Sequence, residues 1–315
     1  MQRREMKNCS LEKVPEKKMN NFIIRSISGI AFTAIVILAI LAGPLWYALL
    51  FFIIIALMAN EYLNLTIGRE KTVTKALAVT SALSLFAISF LIEYSGISYR
   101  YLLLCMIPLF AIFITNLYRK EYNIHTFTQE PEKKGEARGG RVNNGYEMFP
   151  FAIAAVVYTA LPFSSCNLII FDSEGNYSAF MLLFMFIVLW MNDVGAYCIG
   201  SAFGQKGDGK RGKLFPSISP KKSWAGFFGG LASCIMAAVI MSYIDVFEIS
   251  TTKAIVLGII ICIFGVWGDL TESQLKRNFG VKDSGRIIPG HGGMLDRFDA
   301  ALLAFPAAII FSLLI

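Results

Sequence analysis

The chain has 315 residues, of which 56% are hydrophobic and 16% are charged, and its formal net charge at pH 7 is +7. A soluble domain is about 25% charged and about 45–50% apolar, so this composition excludes a soluble globular domain and a disordered polar chain. Six cysteines occur singly and no CxxC pair is present. This pattern argues against a zinc site and against a disulfide framework.

Nine long apolar runs follow one another along the chain. Runs of about 17–25 apolar residues are typical of membrane-spanning helices. The predicted spans lie at about 22–42, 45–63, 76–92, 101–117, 149–170, 178–200, 224–243, 254–270 and 299–315. No internal repeat is visible, so the inverted repeats of many transporters are not expected. The predicted fold class is therefore an all-α polytopic integral membrane protein with about nine transmembrane helices.

The basic residues indicate the orientation of these helices. Of the 29 Lys and Arg residues, 27 lie in the segments 1–25, 64–75, 118–148, 201–223 and 271–297. With nine spans these segments share one side, which the positive-inside rule assigns to the cytoplasm. We expect a cytoplasmic N-terminus, an external C-terminus and a multi-pass protein of the bacterial inner (cytoplasmic) membrane or its equivalent. The net positive charge suits anionic membrane lipids and needs no nucleic-acid partner.

Four segments organise the chain. Residues 1–21 form a basic cytoplasmic segment without a signal-peptide cleavage site, and residues 22–117 hold helices 1–4. Residues 118–148 are rich in charge and glycine and predict a flexible cytoplasmic connector. Its histidine, His125, is interpreted as a solvated surface residue. Residues 149–315 hold helices 5–9, and the candidate catalytic residues lie in this region.

The first polar cluster interrupts the sixth predicted span. Asp193 follows Asn192 within an otherwise apolar run. A carboxylate at the centre of a membrane helix costs about 2.5–3.5 kcal/mol on insertion scales. Asp193 is therefore expected to face a polar cavity, a cation or a basic partner. The alternative is a hydrogen bond between helices among small neighbouring residues.

The second cluster precedes the seventh span. Ser219, Lys221, Lys222 and Ser223 lead directly into the apolar run that starts at residue 224. A helix N-terminus with nearby basic side chains favours phosphate oxygens, so these residues are predicted to bind an anion. The basic residues of 206–213 are interpreted instead as a loop that touches lipid headgroups.

The third cluster fills residues 268–299, between the last two spans. If the eighth helix continues beyond the membrane, Asp269, Ser273 and Lys276 share one of its faces. Asp296 and Asp299 are spaced to share a face at the start of the ninth helix. Mg²⁺ is typically held by one or two carboxylates together with substrate phosphates. The candidate metal ligands are therefore Asp193, Asp269, Asp296 and Asp299, and the candidate phosphate contacts are Lys276, Arg277, Lys282, Arg286 and Arg297.

Residues 273–299 resemble the signature of the phosphatidate cytidylyltransferases. The resemblance rests on Ser273, Lys276-Arg277, Lys282-Asp283, Gly285, Ile288-Pro289, His291-Gly292-Gly293, Asp296-Arg297 and Phe298-Asp299. Upstream, residues 192–197, 219–226 and 268–273 are similar to three further elements of that family. Val194 and Ala225 depart from the pattern, since the family usually has a hydroxyl residue at the first position and Glu or Gln at the second. The resemblance covers residues 150–315.

The resemblance implies that CTP and phosphatidic acid react to give CDP-diacylglycerol and pyrophosphate at the cytoplasmic side of the membrane. It implies metal ligands at Asp193, Asp269 and Asp296, with Asp299 and Asp283 as further candidates. Ser219, Lys221, Lys222 and Ser223, with Lys282, Arg286 and Arg297, would bind phosphates. Asp269, Asp296, Lys276, Arg277 and His291 would form the catalytic set. The implied cofactor is Mg²⁺ or another hard divalent cation; a second, monovalent cation and a homodimer stay open.

Two alternatives remain at this point. A CTP-dependent lipid kinase would transfer a phosphoryl group to a lipid alcohol and release CDP. An ion-coupled secondary transporter would use acids such as Asp193 to relay ions. The transporter is disfavoured because the acids gather at one side of the membrane and no interrupted pair of helices is evident.

Overall fold

The computed structural model describes residues 15–69, 71–117, 145–172, 174–204, 212–285, 287–288 and 292–314. Within these ranges the side chains are described from residue 27 in the first range, up to residue 115 in the second and from residue 148 in the third. Residues 1–14 of the predicted basic N-terminal segment and most of the predicted connector lie outside the described residues, as do Arg286 and His291.

Seven helical segments in the described part of the chain are long and apolar enough to cross a membrane. They are Pro44–Thr66, Thr72–Ser95, Met148–Ile169, Phe180–Phe203, Trp224–Ser242, Thr251–Asn278 and Leu295–Leu314. Two shorter apolar segments, Ile27–Leu41 and Tyr99–Thr115, lie where the first and fourth spans are predicted. The helical, polytopic fold class is thus confirmed, while the count of nine and the orientation of the termini stay predictions.

The N-terminal helices are separated by residues that suit helix ends. Their bounds are α1 Pro15–Leu41, α2 Pro44–Thr66, α3 Thr72–Ser95 and α4 Met106–Leu117, with a 3₁₀ helix Tyr99–Cys105 before α4. Gly43 has a φ of 120° and Pro44 follows it at the first position of α2, where a missing N–H costs no helical hydrogen bond. Gly96 ends α3 in the left-handed conformation that glycine adopts without strain.

The fifth predicted span is a composite helix. It consists of α5 Gly145–Ala155, a π-helical turn Val156–Ala160 and α6 Leu161–Cys166. Pro162 lies just after the π turn, and because proline has no N–H it cannot continue the regular hydrogen-bond ladder. The next helix, α7 Phe180–Phe203, carries Asp193 in its C-terminal half.

A small hairpin precedes the seventh span. Strands β1 Lys213–Phe215 and β2 Ser219–Ser223 pair antiparallel, with Lys213 opposite Ser223. The hairpin leads directly into α8 Trp224–Ser242. This hairpin is a small addition to the predicted helical fold. Apolar periodicity does not predict it, because that signal indicates long helices and not a short polar ribbon.

The last two spans contribute the third polar cluster. Helix α9 runs from Thr251 to Asn278 and is followed by α10 Leu295–Phe298 and α11 Ala301–Leu314. At 1.5 Å per residue, the 28 residues of α9 extend over about 42 Å, which exceeds an apolar membrane core of about 30 Å. The expectation that this helix continues past residue 270 is confirmed.

Close helix packing and one aromatic cluster hold the two halves of the chain together. A Cβ at Gly268 of α9 would lie 2.5 Å from the carbonyl oxygen of Asp299, so only glycine allows α9 and α11 to approach this closely. The ring of Phe51 on α2 lies 6.2 Å from that of Phe186 on α7, which in turn lies 4.7 Å from that of Phe305 on α11. The N-terminal helices therefore share one core with the helices that carry the polar clusters.

Candidate active site

The three polar clusters meet at one cavity of about 620 Å³. Its walls come from α7, the end of the hairpin with the start of α8, the C-terminal part of α9, and α10 with the start of α11. Eight predicted site residues line it: Asp193, Lys221, Lys222, Ser223, Asp269, Asp296, Arg297 and Asp299. Segments separated by more than one hundred positions in the sequence thus contribute to a single site.

Three carboxylates form the acidic side of the cavity. Asp193 of α7, Asp269 of α9 and Asp299, between α10 and α11, are close enough to interact electrostatically. Oδ1 of Asp269 accepts a hydrogen bond of 3.2 Å from the hydroxyl of Ser273, which confirms that these residues share a helix face. Oδ1 of Asp299 accepts the N–H of Ala300 at 2.7 Å. Each carboxylate keeps oxygen lone pairs for a further partner.

The basic side of the cavity lies at the entry to α8. Nζ of Lys222 is 2.6 Å from Oδ2 of Asp269, so this ion pair joins the hairpin to α9. Lys221 and Arg297 are exposed where they line the cavity. Ser223 is the N-cap of α8, and its hydroxyl accepts the N–H of Gly226 at 3.1 Å. Cationic side chains and the N-terminus of α8 therefore favour an anion in this part of the cavity.

Asp296 is held by several donors at the edge of the cavity. Its Oδ1 is 2.6 Å from Nζ of Lys276. Its Oδ2 accepts the N–H of Gly293 at 2.8 Å, and both the N–H and the hydroxyl of Ser284 at 3.0 Å. Lys276 also forms an ion pair with Glu272, one turn earlier on α9. Asp296 thus connects the end of α9, the following loop and α10.

Some predicted site residues do not line this cavity in the described part of the chain. They are Ser219, Lys276, Arg277, Lys282 and Asp283. Arg277 is exposed and its Nη1 donates to the carbonyl oxygen of Val281 at 3.4 Å. Asp283 lies in the loop beside Gly292, since a Cβ built on Gly292 would lie 3.7 Å from the Cβ of Asp283. Lys282 and Asp283 are both exposed.

The donors at the cavity are of the type that a hard divalent cation prefers. Among the described residues, no group of three or more His, Cys, Asp or Glu side chains is arranged to hold a metal ion. The cavity instead offers the oxygens of Asp193, Asp269 and Asp299 beside a basic wall. Mg²⁺ fits such a donor set, because it commonly takes one or two carboxylates and fills its other positions with water and phosphate oxygens.

Two buried acids were missed as site residues by sequence reasoning. Glu61 of α2 is 4% exposed and contacts Ser284, Met294 and Leu295. Glu272 is fully buried and pairs with Lys276. Glu61 carries the signal that singled out Asp193, an acid within an apolar helix. No sequence feature, however, links α2 to the third cluster.

Comparisons with known proteins agree with the geometry. The model described as the cytidylyltransferase family matches residues 23–315. A phosphatidate cytidylyltransferase of Staphylococcus haemolyticus is 39% identical over 158 residues, which are 50% of this chain and 58% of the relative. The corresponding protein of Staphylococcus saprophyticus is 43% identical over 157 residues, covering 50% and 56%. The chain thus spans a little over half the length of the curated relatives that it matches.

Proposed function

The chain belongs to the cytidylyltransferase family, and on this premise we propose that it transfers the CMP moiety of CTP to phosphatidate, giving CDP-diacylglycerol and pyrophosphate. The observation that carries the proposal is the single cavity in which three carboxylates face Lys221, Lys222 and Arg297 at the ends of membrane helices. The relatives named phosphatidate cytidylyltransferase support the choice of substrates.

The reaction brings several anionic groups together. The lipid phosphate oxygen attacks the α-phosphorus of CTP in line, and pyrophosphate leaves. Because the nucleophile is already ionised, the main barrier is charge repulsion and a strong general base is unnecessary. Lys221, Lys222 and Arg297 are proposed to bind the phosphate oxygens, together with the backbone N–H groups at the start of α8. Arg286 and His291, outside the described residues, remain predicted contacts.

The cofactor proposed for this cavity is Mg²⁺ or another hard divalent cation. Asp193, Asp269 and Asp299 are its proposed protein ligands, since their oxygens line the cavity. When bound, the cation would offset negative charge on the phosphates and orient them. Lys222, in its ion pair with Asp269, would hold that carboxylate in place.

Asp296 and Lys276 are proposed to position the site more than to contact substrate. Asp296 accepts three hydrogen bonds and pairs with Lys276, so it has more protein partners than Asp269 or Asp299. Nζ of Lys276 is in turn shared between Asp296 and Glu272. Lys276 also lies outside the lining of the cavity. Their role would be to fix the start of α10, which carries Arg297 and leads to Asp299.

A location at the membrane boundary is proposed for the reaction. Phosphatidate keeps its acyl chains in the bilayer while its phosphate reaches the polar interface. Tyr197 of α7 and Phe227 of α8 line the cavity, and Trp224 and Phe228 beside them are exposed, so lipid chains can lie against this face. The cytoplasmic orientation of the cavity rests on the placement of Lys and Arg residues, and homodimerisation stays a prediction.

The test is a turnover assay of the purified protein in detergent with CTP labelled at the α-phosphate, phosphatidate and Mg²⁺. We expect a labelled lipid whose formation needs phosphatidate, stops with EDTA and resumes when Mg²⁺ is restored in excess. Labelled CDP with no labelled lipid would replace the proposal by a CTP-dependent lipid kinase. No labelled product from folded protein would contradict both activities, and turnover unaffected by EDTA would contradict the metal assignment.

A further inference from the structure

Glu61 is an acid of the N-terminal half that reaches the signature loop of the C-terminal half. It lies on α2, within an apolar helix, and only 4% of it is exposed. Its hydrogen-bond partners are more than 220 positions away in the sequence. A buried carboxylate is costly unless hydrogen bonds compensate it, so its partners indicate what it does.

Two backbone N–H groups donate to the Glu61 carboxylate, and one hydroxyl lies beside it. The N–H of Met294 donates to Oε1 at 3.0 Å, and the N–H of Leu295 donates to Oε2 at 2.9 Å. The hydroxyl of Ser284 lies 3.3 Å from Oε2 and also 3.0 Å from Oδ2 of Asp296. Glu61, from another helix, therefore accepts the two backbone N–H groups at the start of α10.

Two glycines of the signature make room for this carboxylate. A Cβ at Gly293 would lie 2.5 Å from Oε2 of Glu61, and a Cβ at Gly285 would overlap its Oε1. Neither position shows a left-handed backbone conformation in the structure. The space that Glu61 occupies explains glycine at position 285, whereas at position 293 the Ser284 hydroxyl and the backbone nitrogen of Gly285 crowd the Cβ together with Glu61. The loop and the acid are therefore built to fit each other.

We propose that Glu61 is a positioning residue of the active site. It holds the Gly293–Leu295 turn, and so sets where Asp296, Arg297 and Asp299 stand relative to Asp193 and Asp269. The effect on turnover rests on the proposed function, whereas the hold on the turn rests only on the contacts of Glu61. An apolar side chain could fill the same volume at a lower desolvation cost but could not orient the two N–H groups.

The perturbation is Glu61→Gln, which keeps the shape of the side chain and removes its charge. One carboxylate oxygen becomes an NH₂ group that faces a backbone N–H at about 3 Å, so a donor meets a donor. We expect kcat to fall by about 10- to 100-fold while KM for CTP changes by less than about threefold, because misplacement of catalytic groups affects mainly the chemical step. Hydrogen exchange at Met294 and Leu295 should become faster.

The matched control is Ile55→Ala on the same helix. Ile55 is fully buried in the core and does not line the cavity, so its truncation destabilises the protein by leaving a void. We expect a lower midpoint of thermal unfolding but an unchanged kcat per folded molecule, and unchanged exchange at Met294 and Leu295. If Glu61→Gln does not fold, Glu61→Asp, whose carboxylate is one methylene too short, takes its place in every comparison.

The outcomes separate positioning from stability. The proposal is overturned if the Glu61 variant has the kcat of the wild type. It is also overturned if the Glu61 and Ile55 variants lose stability equally and lose kcat equally. If the unmutated protein shows no turnover, the proposed function fails, and exchange at Met294 and Leu295 alone decides the role of Glu61. Hydrogen exchange at Met294 and Leu295 that is faster in the Glu61 variant but not in the Ile55 variant supports the positioning role. Exchange at the same rate in the two variants overturns it.

Discussion

Among the basic residues that the structure describes, Lys276 should be the one whose loss most destabilises the protein. Its Nζ lies 2.6 Å from Oδ1 of Asp296 and forms a second ion pair with Glu272. The side chains of Lys276, Asp296 and Glu272 are 12%, 7% and 0% exposed. Replacement by methionine keeps much of the side-chain volume but leaves two neighbouring buried acids without a cation. Breaking such a buried pair costs about 3–5 kcal/mol.

Arg277→Met is the matched control for the stability effect of Lys276→Met. Arg277 is the next residue on α9, carries the same charge and is exposed, with one hydrogen bond of 3.4 Å to Val281. Its replacement should change the free energy of unfolding by no more than about 0.5 kcal/mol. The double variant Glu272→Gln with Lys276→Met should recover at least about 1 kcal/mol relative to Lys276→Met alone, because one of the two stranded charges is removed.

The assay is SDS-induced unfolding in mixed micelles, followed by tryptophan fluorescence. The extrapolated free energies of unfolding of the wild type, the two single variants and the double variant are compared. If Lys276→Met were as stable as Arg277→Met, the ion pairs of Lys276 would not support the fold and the positioning role given to it would be wrong. A double variant less stable than Lys276→Met would show that repulsion between the two acids is not the cause.

Two further substitutions test the cavity and the packing that shapes it. Asp269→Asn should lower turnover by at least about 100-fold, since it removes charge opposite the phosphates. The control, Asp245→Asn in the distant turn between α8 and α9, should leave turnover unchanged. Equal turnover in both variants would refute the role of Asp269. Gly268→Ala should lower stability by about 1–3 kcal/mol and also reduce turnover, because its Cβ would meet the Asp299 carbonyl oxygen at 2.5 Å. Gly258→Ala, whose Cβ would meet its nearest atom at 3.2 Å, should have the smaller effect in the same unfolding and turnover assays.

The sequence predicts the helices well because membrane insertion depends on local hydropathy. Each predicted span corresponds to a helical segment of the structure, and the acids that interrupt α7 and α9 face one cavity. Asp193 and Asp269 could be singled out because a carboxylate in an apolar run is costly and needs a polar environment. Asp299 was predicted to join Asp193 and Asp269 as a candidate metal ligand because it lies at the start of the last span.

Partners of the polar residues could not be predicted from the sequence. Lys276 was expected among the phosphate contacts. A basic residue can pair with an acid of the protein or with a phosphate of the substrate, and only the tertiary placement of Asp296 beside Lys276 shows that it pairs with the protein. Glu61 has its partners across a tertiary contact with no local pattern. The hairpin before α8 contains only eight strand residues, too few for a periodic signal.

The charges of the cavity bear on how substrates can enter it. Counted as ionised groups, Asp193, Asp269 and Asp299 carry three negative charges, and Lys221, Lys222 and Arg297 carry three positive ones. Asp296, which also lines the cavity, is already paired with Lys276. These cavity charges are thus formally balanced before any substrate binds. A nucleoside triphosphate and a lipid phosphate add several negative charges, which the basic wall cannot offset while Lys222 remains paired with Asp269. We therefore infer that the substrates bind together with cations, and that the carboxylates of Asp193, Asp269 and Asp299 serve to recruit them.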